Sequence, residues 1–570
     1  MNRTPLPLML ALASLTACAQ SPMVPKADPG TAAAPTAAHA PASALTSPLL
    51  YQFLLGEIAG QRGDLALAKE AYVDLAEKTR DPRVVRRAGE IATYARDAAT
   101  SARMAQLWVE LEPETVRARQ SLAGILISSD RLDEARPHIE ILLRMGHGSP
   151  AKAFPQLHGM LARAKDKMAA LALIKDLAAG YPGLPEASMA VAQMALAAGQ
   201  QAQALAALDE ALRVRPDWEA AALLKGQALS RAGDEPVLAY WQSFLEAHPG
   251  AARLRQAYAK ELAKAGRYEA ARAEFDTLIR GAPSNPELYF AIGLLAMQMS
   301  DLEAAGRYLD QALAHGFVDD DLIRVYQGQI MEGRKDYPAA LDWYLKVQPS
   351  EHYFSARLKA AVVHGKLGQV EAGRALLKAL ETPTEATQTQ RYQAEAQLLR
   401  EANRLAEAYE VLSHALTGLP ESGDLLYDRA MIAERLGRLV ESEADLRKLI
   451  ALDPEHAHAY NALGYTLVDR TDRLAEGIEL LDKALTLSPE DPFILDSMGW
   501  ALFKSGKLAE AVDYLRRAYA RRDDPEIAAH LGEALWATGQ RDEARKVWQG
   551  SLKDYPDNDV LKDTITRFSR

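Results

Sequence analysis

The chain predicts an all-α fold, an α-solenoid (superhelix) of about 15 helix–turn–helix repeats after a disordered N-terminal tether. Three observations carry this reading. Small residues, apolar patterns and closing prolines recur at a steady interval. Alanine and leucine dominate and β-branched runs are scarce, which favours helix nearly throughout. And 570 residues exceed one compact core, whereas a repeat array escapes that limit because each unit contacts only its neighbours.

The interval is clearest in Pro492–Pro525. Leu495, Met498, Gly499 and Leu502 fall on one face of a helix, Gly506 interrupts, and Ala511, Leu515, Ala518 and Tyr519 share a face of a second helix. The Gly499 position repeats from Gly56 to Gly532 at intervals of 33 to 35 residues. Pro113, Pro182, Pro216, Pro249, Pro283, Pro420, Pro454, Pro489 and Pro556 follow it by 24 or 25 residues, where a fixed φ suits the turn into the next helix. His158 and Lys225 stand where a small residue is usual, so those repeats are distorted or the register is offset by one. The spacing resembles the tetratricopeptide repeat (TPR), a helix–turn–helix unit of about 34 residues.

Taken in order, residues 1–17 read as a signal peptide, with Arg3 ahead of a short apolar run, Leu6–Leu15. Leu15-Thr16-Ala17-Cys18 resembles the bacterial lipobox, and Cys18 is the chain's only cysteine. The resemblance implies cleavage before Cys18 and its acylation with lipid chains of the palmitate kind. Several such chains anchor a protein stably. Ala19 replaces the aspartate that retains many such lipoproteins at the inner membrane, so the implied place is the outer membrane of a Gram-negative host, facing the periplasm.

Residues 18–47 are the lipidated cysteine and an Ala/Pro-rich tether without helical period, spanning roughly 30 Å as a coil. Residues 48–388 hold N-terminal and central repeats, 389–556 the best-formed repeats, and 557–570 a capping helix over the last apolar face. In the first repeat Tyr51, Leu55 and Ile58 are expected to face Leu65, Ala68, Tyr72 and Leu75, with Asp64 as N-cap. Arg144–Gln156 reads as loop-rich and Thr382–Thr389 as a polar connector. Asp319-Asp320-Asp321 reads as a helix cap rather than a metal site.

Net charge is −11 with both signs mixed and no basic stripe, which argues against nucleic acid as a ligand. The sequence has no Gly-rich phosphate loop, no G-x-S-x-G, no H-E-x-x-H and no cysteine pair. His456 and His458, two apart on a helix, cannot share a metal. The expectation is a protein without enzymatic activity, cofactor or metal.

Interaction chemistry is better supported. In the family that the spacing resembles, first helices line a groove. Its outward positions here hold Tyr427 and Met431, Asn461 and Tyr465, then Phe493, Asp496, Trp500 and Phe503, then Glu533 and Trp536. Aromatic residues on one stripe are the kind most used as interface anchors. For each single residue, filling a gap between helices is an equal alternative.

The stretches NALGYTLVDR, DPFILDSMGWALF and PEIAAHLGEALW are similar to a family of large TPR outer-membrane lipoproteins. One type in that family is the adaptor of a periplasmic carboxyl-terminal processing protease. The resemblance implies a non-catalytic scaffold that brings a periplasmic protease together with substrates such as cell-wall hydrolases. Alternatives are a TPR scaffold subunit of an exopolysaccharide secretion or envelope assembly machine and, in another class, a cell-wall enzyme or activator.

Overall fold

The computed structural model of the chain describes residues 46–145 and 149–568. The expected signal peptide and Cys18 lie outside them, as does nearly all of the tether. The described residues hold 31 α-helices and no strand, and they divide between Leu295 and Ala296 into two compact units.

In the first unit the hairpins are α1 (Ser47–Gln61) with α2 (Leu65–Thr79), α3 (Pro82–Tyr94) with α4 (Ala98–Leu111), and α5 (Val116–Ser128) with α6 (Leu132–Met145). They continue with α7 (Pro150–Leu161) and α8 (Lys167–Ala179), α9 (Pro185–Ala197) and α10 (Gln201–Val214), α11 (Glu219–Leu229) and α12 (Asp234–Ala247), and α13 (Ala252–Lys264) and α14 (Tyr268–Gly281). Helix α15 (Pro286–Gln298) carries the division. The second unit goes on with α16 (Leu302–Ala314), then α17 (Asp320–Gly333) and α18 (Tyr337–Leu345), α19 (Tyr353–Lys366) and α20 (Val370–Lys378), and α21 (Glu385–Glu401) and α22 (Leu405–Gly418). Then come α23 (Gly423–Arg435) and α24 (Leu439–Leu452), α25 (Ala457–Arg470) and α26 (Leu474–Leu487), α27 (Pro492–Lys504) and α28 (Leu508–Arg521), α29 (Pro525–Ala537) and α30 (Arg541–Asp554), and the terminal α31 (Asp559–Phe568). Each unit thus holds seven hairpins of two helices, with α15 and α16 at the division and α31 closing the second, the α-solenoid that the spacing predicts.

Local chemistry explains the helix starts. Asp491 accepts the N–H groups of Phe493 and Ile494 ahead of Pro492, and Asp524 accepts that of Glu526 ahead of Pro525. Asp64 caps α2 and Asp319 caps α17, as the sequence suggests. In most hairpins the turn contains one left-handed residue. Gly63, Gly199, Gly266, Gly368, Gly437, Gly506 and Gly539 supply it, whereas Arg96, Asp130, Ser300, Lys335 and Asn403 adopt it without that freedom.

Close packing explains why the hairpins hold. Leu495, Met498, Gly499 and Leu502 are buried against Ala511, Leu515 and Ala518. A methyl group on Gly499 would come 2.6 Å from Leu515 Cγ. Gly532 lies flat against the Trp548 indole in the same way.

Three expectations need correction, and the alternative left open at Lys225 is resolved. In α1, Tyr51 is 67% and Ile58 49% exposed, and Gly56 and Ala59 are the buried residues. That helix is apolar on every side, so periodicity could not select its inner face; contact of Gly56 with Tyr72 selects it. The loop-rich reading of Arg144–Gln156 is too long, because α6 reaches Met145 and α7 starts at Pro150. The second half of Thr382–Thr389 is helix, begun by a capping box between Thr384 and Thr387. At Lys225 the register is offset by one: Gly226 packs on Trp241, whose indole N–H donates to the Ala222 carbonyl at 3.2 Å, while Lys225 pairs with Asp209.

Candidate protein-binding surface

The predicted groove residues lie on α23, α25, α27 and α29, which follow one another in the second unit. The structure sorts them into separate neighbourhoods.

The largest lies across α25, α27 and α29. Trp500 on α27 stacks between Phe503 and His530, with ring centroids 5.1 and 4.1 Å away. Its indole N–H donates to Asp469 at 3.2 Å, and Lys504 pairs with the same carboxylate at 3.0 Å. Burial works against the charge of Asp469, but these two partners hold its carboxyl below the usual range. His530 is buried, and its Nδ1–H donates to both oxygens of Asp496 at 3.0 Å. Burial opposes the charged form of His530, yet the attraction of Asp496 and this hydrogen bond outweigh it and raise the imidazole pKa. The half-buried Tyr465 ring lies 6.5 Å from His530, and its hydroxyl donates to Glu526 at 3.5 Å. Burial raises the Tyr465 phenol. Burial and Asp496 push the Glu526 carboxyl up, against the pull of His530.

The remaining candidates lie elsewhere. Phe493 is 40% exposed at the start of α27, with the Arg522 guanidinium 5.0 Å over its ring. Tyr427 stacks on His456 at 5.8 Å, and burial raises its phenol. Met431 and Asn461 are half-buried, and the Asn461 carbonyl oxygen has no hydrogen-bond partner. Glu533 is buried and paired with Arg567 of α31. Trp536 turns into the C-terminal core, 5.9 Å from Trp548 and 5.7 Å from Phe568, flanked by Arg541 and Arg545.

Sequence reasoning missed His530, Glu526 and Asp469. A signal was present, because Asp496 and His530 stand 34 residues apart, one repeat length, as do Glu533 and Arg567. Residues one period apart occupy the same place in neighbouring repeats, so unlike charges at that spacing become cross-repeat pairs. Asp319 and His352 follow the same rule, bonded at 2.8 Å; with the mostly exposed Glu351 they bring three metal-capable groups together. Asp319 already caps α17 there, and His352 takes its other oxygen.

The tetratricopeptide repeat family matches residues 290–351, 394–454 and 441–492 in one form and 502–566 in another. A TPR repeat-containing protein of Pseudomonas aeruginosa is 35% identical over 523 residues, covering 91% of this chain and 88% of its own. The chain belongs to the TPR repeat-containing proteins. Their repeats form protein–protein interaction scaffolds, and the family is generally non-catalytic. Among solved structures, yeast Tom70 is similar with TM-score 0.34 and 15% identity, covering 91% of this chain and 99% of that one. A thermophilic TPR protein of Thermus thermophilus has TM-score 0.30 and 22% identity, covering 32% of this chain and 100% of that one.

Proposed function

We propose that this TPR protein is a lipid-anchored adaptor of the outer membrane, facing the periplasm, that holds a periplasmic protease beside substrates such as cell-wall hydrolases. The observation that carries the adaptor reading is the Tyr465–Trp500–Phe503–His530 cluster, where ring faces and half-buried polar groups from three successive first helices meet. The anchor reading rests on Leu15-Thr16-Ala17-Cys18. A long array has room for two partners, and tethering them together raises their effective concentration without a catalytic residue.

The experiment is a crosslinking pull-down from intact cells with the full chain as bait, paired with Phe503→Ala and Tyr465→Ala variants checked for unchanged helix content. Recovery of a periplasmic protease with cell-wall hydrolases, lost in the variants, is expected. Recovery of an outer-membrane barrel and polysaccharide synthesis proteins would replace this reading with a secretion scaffold. Turnover of cell-wall material by the purified protein would replace it with an enzyme.

A further inference from the structure

The first helix is unlike the others. α1 carries one charge, Glu57, which accepts a hydrogen bond from the Tyr72 hydroxyl and lies 3.7 Å from Arg87. Its inner side buries Gly56 and Ala59. Its outer side presents Leu50, Leu54 and Ile58 at four-residue spacing, flanked by Tyr51 and Phe53. Seven of the sixteen large hydrophobic side chains exposed among the described residues fall within 50–67. Helices apolar on all sides normally end up covered on all sides. The 15 residues of α1 rise about 22 Å, short of the roughly 30 Å that a span requires. Among the described residues no helix is long and apolar enough to cross a membrane. Such a face can lie along an apolar phase but not through it.

The chain preceding α1 indicates which phase is near. This step rests on the reading that Cys18 is acylated. Only 27 residues lie between Cys18 and Thr46, at most about 95 Å of chain whatever its conformation, so the anchor keeps α1 within reach of lipid and weak apolar contacts suffice. Residues 19–45 contain Met23, Val24 and Leu45 as their large aliphatic side chains, too little to cover the face themselves. α1 has no Lys or Arg, so its contact would depend on apolar area rather than on anionic headgroups, with Tyr51 placed for the headgroup boundary. We propose that the outer face of α1 rests in the headgroup–acyl boundary of the bilayer that holds the N-terminus, and so fixes the first hairpin on the lipid surface.

Acylation consumes the one native thiol, so an added cysteine is a unique labelling site. Leu54→Cys and Ile58→Cys, each carrying a nitroxide, are compared with Val440→Cys, 80% exposed on α24, in the mature protein on phosphatidylethanolamine–phosphatidylglycerol vesicles. Relative to the label at 440, collisions with oxygen should rise severalfold and collisions with a water-soluble nickel chelate should fall severalfold. Shielding from both reagents overturns the proposal in favour of a second copy of the chain. A label as open to nickel as the one at 440 also overturns it. The mass of the N-terminal peptide separates this from the underlying reading. An unacylated Cys18 removes the anchor and this proposal together; an acylated Cys18 with an open label removes the bilayer contact alone.

Discussion

The two ends of the array are made from the same hairpin and finish differently. At the C-terminal end, α31 lays Leu561 and Phe568 over the last hairpin, and Trp548 is buried against Gly532, Trp536 and Phe568. Its outward residues Lys562, Asp563 and Thr566 are polar. At the N-terminal end no helix among the described residues plays that part, and Leu50, Leu54 and Ile58 stay exposed. A repeat that stacks on neighbours always leaves two apolar faces at its ends. Among the described residues one is closed by the chain's own helix and the other is uncovered, which is the reason to look for an external occupant there.

The comparison can be tested by substitution. Trp548→Ala should have the largest effect, a loss of about 3–5 kcal/mol confined to the C-terminal hairpins, because it opens a cavity beneath the cap. Hydrogen exchange in α29–α31 reads it, and equal loosening of α1–α4 would contradict the local account. Asp496→Asn should cost about 2 kcal/mol by weakening a buried charge-assisted bond, seen in urea unfolding followed through the same helices.

That pair also predicts a pH dependence. The folded imidazole of His530, facing Asp496, Glu526 and Glu533, has its pKa raised above the unfolded value of about 6.5. Its contribution is therefore fully present below that value and is lost as pH rises through the folded one. Urea midpoints of the C-terminal helices should fall across that window, and the fall should flatten in Asp496→Asn.

Lys335→Gly should stabilise by about 0.5 kcal/mol, since relief of a left-handed lysine slightly exceeds the added freedom of the unfolded chain. Thermal unfolding checks it. Leu54→Asn should change stability by less than about 0.5 kcal/mol, because the side chain is already half in water. A large loss there would mean that the N-terminal face is not bare.

Much of the fold was legible from residues that act locally. The period from Gly56 to Gly532, the turn glycines and the caps at Asp64 and Asp319 each work within one hairpin. Less of the surface was legible. Phe503 and Trp536 hold the same place, four residues after Gly499 and Gly532. Yet Phe503 stacks on Trp500 of its own helix, whereas Trp536 folds under α31. Even a helix start can be faint. Thr384 reads as connector because a Thr–Thr capping box leaves a weaker trace than the aspartate caps at Asp64 and Asp319.

The sequence alone determined that this protein is an array of about fifteen helical hairpins, because period, helix propensity and turn chemistry are set within each unit of about 34 residues. The tertiary structure decided which side of α1 faces outward, which charges pair across repeats and which aromatic rings remain near the surface. Those outcomes depend on what the neighbouring repeat presents, and a pattern confined to one hairpin does not contain its neighbour.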